Sequence, residues 1–286
     1  NADNSDGGLG GHVKITAGRT YGTKTTGNPG GSVEMTAGQA AASTGGEIII
    51  GTGSGVKTSS GFIQMYTANS GLAGVSGKID IWTGSAIGNA GDIDLTTGSA
   101  VSGNGGDINV VVGSGNCGQG GDIFMSAGTT TAASKEGGDF DIHAGDGDST
   151  SAGSGGDLQL FGGEGKGAES GFGGDISLFG GTAASESGGS IYITTGKGTL
   201  DSSGQIKLST YDSGPAGTSG DITLETGEAK IDDSGHFYLA TGYASSGAGG
   251  YVSVVVGTGA SGAGGYIAMS AGDTETALGT TGGLIS

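Results

Sequence analysis

Gly105-Gly106-Asp107-Ile108-Asn109-Val110-Val111-Val112-Gly113 is the stretch whose reading decides the fold, because near-copies of it run through the whole chain. Ser219-Gly220-Asp221-Ile222-Thr223-Leu224-Glu225-Thr226-Gly227 is one, and Gly173-Gly174-Asp175-Ile176-Ser177-Leu178 opens another. The shared pattern is Gly-Gly-Asp-Ile-x-Leu-x-Thr-Gly. Its second glycine serves as a marker, at positions 11, 31, 46, 61, 77, 91, 106, 121, 138, 156, 174, 189, 204, 220, 235, 250, 265 and 283. Most steps are 15 residues and the rest lie between 14 and 20. A fixed period of this kind marks a repeat architecture, in which stability is collective.

Within each copy the fourth and sixth positions are apolar, as in Ile48/Ile50, Ile79/Ile81, Ile123/Met125 and Val252/Val254. The fifth is variable and often polar: Lys14, Glu34, Asp94, Thr223. The eighth is small, Thr or Ala in most copies. Alternation with a period of two predicts a short strand with one face inward and one outward.

A naked sheet of such strands would leave an entire apolar face wet. The six to nine Gly, Ser, Ala and Thr residues between copies are long enough to run back across a six-residue strand of roughly 20 Å. The sequence therefore predicts an all-β fold: a single-stack β-solenoid of about 18 coils of about 15 residues over 1–286. Its sheets are parallel, its core is a thin layer of Ile, Leu, Val and Met, and its return arms are Gly, Ala and Ser. An antiparallel meander with Gly-rich hairpins is the alternative.

The steps between markers repeat after nine copies, with residue matches at an offset of 143 to 145, such as Asn69-Ser70-Gly71-Leu72-Ala73-Gly74 with Asp212-Ser213-Gly214-Pro215-Ala216-Gly217. This predicts an internal duplication, approximately 1–145 and 146–286. The eighteenth copy, Gly282-Gly283-Leu284-Ile285-Ser286, stops mid-pattern without a polar cap. Units are therefore expected to continue head to tail through their terminal coils, either covalently in a longer protein or by pairing with another copy, an open contact that generates a filament. Asn1-Ala2-Asp3-Asn4 has no signal-peptide character, so the start is read as a processed terminus or a cut through a longer chain.

Composition narrows the function classes. Glycine contributes 71 of 286 residues, yet two prolines and no Gly at every third position exclude collagen. The formal charge is −18, with 28 acidic against 10 basic residues, which argues against a nucleic-acid partner. One cysteine, Cys117, excludes an intrachain disulfide framework. No apolar run is long enough for a membrane span.

Candidate sites are surface features. Asp92, Asp107, Asp122, Asp139, Asp157 and Asp175 occupy the third position of six consecutive copies. Stacked about 4.8 Å apart, they would be solvated, bonded to turn amides, or bridged by calcium. Outward aromatics fall in neighbouring copies: Tyr66 with Trp82, Phe161 with Phe179, Tyr251 with Tyr266. They are expected to stack, to dock a lateral neighbour, or to offer polysaccharide a flat platform. The three histidines, His12, His143 and His236, sit on separate copies, and no paired-carboxylate cleft is foreseen, so an enzyme is not expected.

The run Ala90-Gly91-Asp92-Ile93-Asp94-Leu95-Thr96-Thr97-Gly98 resembles the repeats of large extracellular β-solenoids, such as filamentous-haemagglutinin-type surface proteins and Gly-rich repeat proteins of algal cell surfaces. That resemblance covers nearly the whole chain and implies an extracellular or cell-surface location with adhesive or scaffold duty. The calcium-binding RTX nonapeptide is not matched, because Asp here follows the glycine pair directly. The expected role is a structural segment of an extracellular fibre, filament or coat, with an adhesin or carbohydrate-binding module as the alternative.

Overall fold

In the apolar segments, alternate side chains part onto two faces of the backbone. The computed structural model describes residues 10–24, 27, 29–167, 170–273 and 282–285; Asn1 to Asn4 and Ser286 lie outside the described residues. In the segment around Tyr192, Ile191 and Ile193 are 52% and 66% exposed while Tyr192 is 88% exposed. The third and fifth positions meet on the more exposed face: Lys78 Nζ stands 2.6 Å from Asp80 Oδ2. Likewise the Ser32 hydroxyl donates to Glu34 Oε1 at 3.4 Å, and the His236 and Tyr238 rings meet edge to face at 5.6 Å. Contacts between residues two apart are the mark of extended backbone.

The extended segments do not assemble into sheets. Among the described residues there is no helix and no strand, and no hydrophobic side chain is buried. The accessible surface is 28809 Å² for a mass of 27.0 kDa. A packed monomer of that mass exposes about 11,000 Å² and an unfolded chain about 39,000 Å². Where a packed chain makes about one hydrogen bond per residue, ten backbone-to-backbone bonds join the described residues. The all-β, single-stack β-solenoid with about 15-residue coils, parallel sheets and a thin core is therefore overturned, and with it the fibril stiffened by sheet ladders. The described residues are coil-like: short extended segments with no ladder of backbone hydrogen bonds between them.

The physical reason lies in the arms. They are expected to run back across the apolar face, but nine of them close on themselves. The marker N–H donates to the carbonyl of the glycine ending the previous segment: Gly31 to Gly18 at 2.9 Å, Gly46 to Gly38 at 2.8 Å, Gly61 to Gly53 at 3.1 Å, Gly138 to Gly128 at 2.9 Å, and Gly156 to Gly145 at 2.9 Å. Gly174 to Gly163, Gly189 to Gly181 and Gly283 to Gly272 close at 2.8 Å, and Gly204 to Gly196 at 3.1 Å. An arm whose two ends touch is a closed loop projecting from the chain. It cannot also span the segment and cover its apolar side chains. In several shut arms the marker must also be glycine: a Cβ at Gly31 would lie 3.0 Å from Gly18 N, and one at Gly189 would lie 2.9 Å from Gly181 N.

The eighth residue sets how tightly an arm shuts. Where it is Ala or Gly (Ala17, Ala37, Ala127, Ala144, Gly162, Gly180, Ala271), every arm carries the closing bond, at 2.8 to 2.9 Å. With Thr52 and Thr195 the bond lengthens to 3.1 Å. After Thr67, Thr83, Thr97, Val112, Thr210, Thr226, Thr241 and Val256 no such bond is found. A β-branched side chain stands beside the marker in shut and open arms alike: a Cβ at Gly61, whose bond forms, would lie 3.2 Å from Thr52 Cβ, and one at Gly106, whose bond does not, 3.2 Å from Thr97 Cβ. Thr241 substitutes a longer link, its hydroxyl donating to the Gly250 carbonyl at 3.3 Å.

The chain divides into two units, Asn1–Phe140 and Asp141–Ser286. Along the chain the eighth residues read Ala, Ala, Thr, Thr, Thr, Thr, Val, Ala, Ala through repeat nine, then Gly, Gly, Thr, Thr, Thr, Thr, Val, Ala. The order of shut and open arms recurs with the same nine-repeat period.

Candidate functional site

An open cleft in the first unit gathers side chains from three repeats. Met35, Ile50 and Ile81 contribute sixth positions, Ile48 a fourth, Asp80 a fifth and Trp82 a seventh, around a volume of about 920 Å³. The cleft thus draws on both faces of the segments. Trp82, an outward aromatic by its sequence position, lines it and is 75% exposed. Beside it the Asp80 carboxylate is held by Lys78. An indole face next to apolar methyls and one carboxylate can receive a ligand with an apolar side and hydroxyl donors.

The other aromatics singled out by sequence, Tyr66, Phe161, Phe179, Tyr251 and Tyr266, are all exposed and do not line this cleft. The ring pair found among the described residues is His236 with Tyr238, not one of the expected neighbour pairs. Arg19 stands over the Tyr21 ring at 5.7 Å, a cation–π contact inside the first arm. Asp92, Asp107, Asp122, Asp139, Asp157 and Asp175 are likewise exposed. Among the described residues no group of three or more His, Cys, Asp or Glu side chains comes together to hold a metal ion. The reason is the missing ladder: without stacked coils nothing holds third positions of successive repeats in a column.

Sequence reasoning missed the arm tips. Val56, Leu72, Ile87 and Val101 sit at the bends of four consecutive arms in the first unit, and Leu200, Pro215 and Ile231 at three consecutive bends in the second. All are fully exposed apart from Pro215, which is exposed at a Gly214–Gly217 turn closed at 3.3 Å. The signal was available, since each tip precedes the next marker by four or five residues. It is weak because the apolar tip is one residue among Gly, Ser, Ala and Thr, which by composition read as plain spacers.

No helix of the described residues is long and apolar enough to cross a membrane. No family model, curated protein or solved structure matches the chain.

Proposed function

We propose that this chain is a structural segment of an extracellular coat or fibre, built by association of copies end to end. The carrying observation is the uncovered apolar pair in each successive segment, with no buried core anywhere among the described residues. The 28809 Å² surface exceeds that of a packed chain of this mass by about 18,000 Å², against about 1,600 Å² for a standard protein interface. Neighbouring copies carry the same spacing and supply that cover in register. The charge of −18 keeps the free chain soluble and sets a salt-dependent threshold for association. Sedimentation velocity over a wide concentration range, followed by electron microscopy, tests this. Species that grow with concentration are expected; a single monomeric boundary at every concentration would refute it.

The Trp82 cleft favours a second reading, an adhesin or carbohydrate-binding module. A glycan array read with and without chelator tests it and also tests calcium bridging at the third-position aspartates. Binding abolished by Trp82→Ala, with self-association intact, would put this reading first.

A further inference from the structure

The two sets of arm tips differ in charge, and the difference fits one to the other. Residues 53–60, 68–76, 84–90 and 98–105, the arms bearing Val56, Leu72, Ile87 and Val101, contain one charged residue, Lys57, and no acid. In a chain of net charge −18 these four arms stand out as free of acid. Residues 196–203, 211–219 and 227–234, the arms bearing Leu200, Pro215 and Ile231, contain Lys197 and Lys230 against Asp201, Asp212, Glu228, Asp232 and Asp233, a net of 2 − 5 = −3.

We propose that the arm tips of repeats three to six on one copy dock on the arms of repeats twelve to fourteen on a second copy. This rests on the self-association proposed above and adds to the cover of the apolar segments a contact between arms that decides which copies meet. Three observations carry it. First, the tips are among the most exposed apolar side chains of the chain and sit at bends, where nothing of their own arm covers them. Second, the spacing matches: Val56 to Leu72 to Ile87 to Val101 runs 16, 15 and 14 residues, and Leu200 to Pro215 to Ile231 runs 15 and 16. Near-equal lengths of chain therefore separate successive tips on the two sides. Third, the second set pairing with itself would set −3 against −3, whereas the acid-free set meets it without repulsion and brings Lys57 to the acids around Ile231. Such a contact is heterologous: each copy keeps one set free after using the other, so growth is open-ended.

Two variants test this in the full chain. Variant one carries Val56→Ser, Leu72→Ser, Ile87→Ser and Val101→Ser; variant two carries Leu200→Ser, Pro215→Ser and Ile231→Ser. Exposed tips hold no core together, and amide exchange at Gly46 and Gly189, whose closing bonds lie outside the substituted arms, verifies that the rest of the chain is unchanged. Each variant alone is expected to self-associate at least about a hundredfold more weakly than the parent chain. Mixed, they are expected to form a one-to-one complex that stops at two, through the intact set on each. Either variant assembling alone like the parent would overturn the docking surface while leaving self-association in place. A mixture that stays monomeric would also overturn it. A parent chain that is monomeric throughout would remove the functional reading on which it stands.

Discussion

Repeats one to three and repeats four to seven share their period, their marker glycine and their apolar pair, yet their arms behave differently. In the first group the arms are shut by backbone bonds of 2.8 to 3.1 Å; in the second no such bond forms. At the eighth position the first group carries Ala17, Ala37 and Thr52 and the second Thr67, Thr83, Thr97 and Val112, and the Thr52 arm closes at the longest distance of the first three. The repeat unit is therefore not uniform. A small side chain produces a tight loop, a β-branched one a looser loop, and the choice follows a nine-repeat order that recurs in the second unit.

The comparison breaks most completely if a shut arm is forced open at its marker. Gly46→Val places a Cβ 3.2 Å from Gly38 N and should abolish the closing bond, dropping amide-exchange protection at position 46 to that of free chain. The same kind of change in the open group, Gly91→Ala, meets nothing nearer than Thr83 Cγ2 at 3.8 Å and should leave exchange unaltered. Next in size is conversion between groups. Thr97→Ala should create a closing bond at Gly106, raising protection there about fivefold, the worth of a hydrogen bond of about 1 kcal/mol. Ala37→Val should lose a similar amount at Gly46.

Acidification sharpens the comparison at the level of assembly. As the pH falls toward the isoelectric point of about 4.1, the net negative charge of the chain is titrated away and repulsion between copies falls. Light scattering should show association at lower concentration near pH 4 than at pH 7. Added salt at pH 7 should lower the same threshold between like-charged copies. The smallest effect belongs to Lys78→Ala. Its ion pair with Asp80 is largely exposed, so a double-mutant cycle should return a coupling of at most about 1 kcal/mol, with the Gly91 amide unmoved.

The period, the marker glycine and the two-faced segments were legible in the residues, because a marker every 15 residues and alternation at Ile48 to Ile50 are local patterns. The path of the arms was not. Seven or more residues after Gly38 are long enough to cross a segment and equally long enough to close at Gly46, and length alone does not choose. The choice is made by the glycine at each end and the small eighth residue, which let two backbone strands approach within hydrogen-bond distance. Reading the arms as spans produced the solenoid; reading Ala37-Gly38 and Gly45-Gly46 as a matched pair produces the closed loop. The same oversight hid the tips, since Leu72 and Ile87 stand out only when the arms are treated as projecting structures. Trp82 was identified as a contact residue from its position, but its meeting with Met35 and Ile48 depends on the relative placement of three repeats, which no local pattern encodes.

Arms with a small eighth residue close on themselves at the marker glycine, and the apolar segments of a single copy stay uncovered. Residue-resolved amide hydrogen exchange on the dilute chain tests this most directly. The account predicts protection concentrated at Gly31, Gly46, Gly61, Gly138, Gly156, Gly174, Gly189 and Gly204, with free-chain exchange at Ile48 to Ile50, Ile108 to Val110 and their counterparts. Protection running continuously through those apolar segments in successive repeats, with none added at the marker glycines, would contradict it.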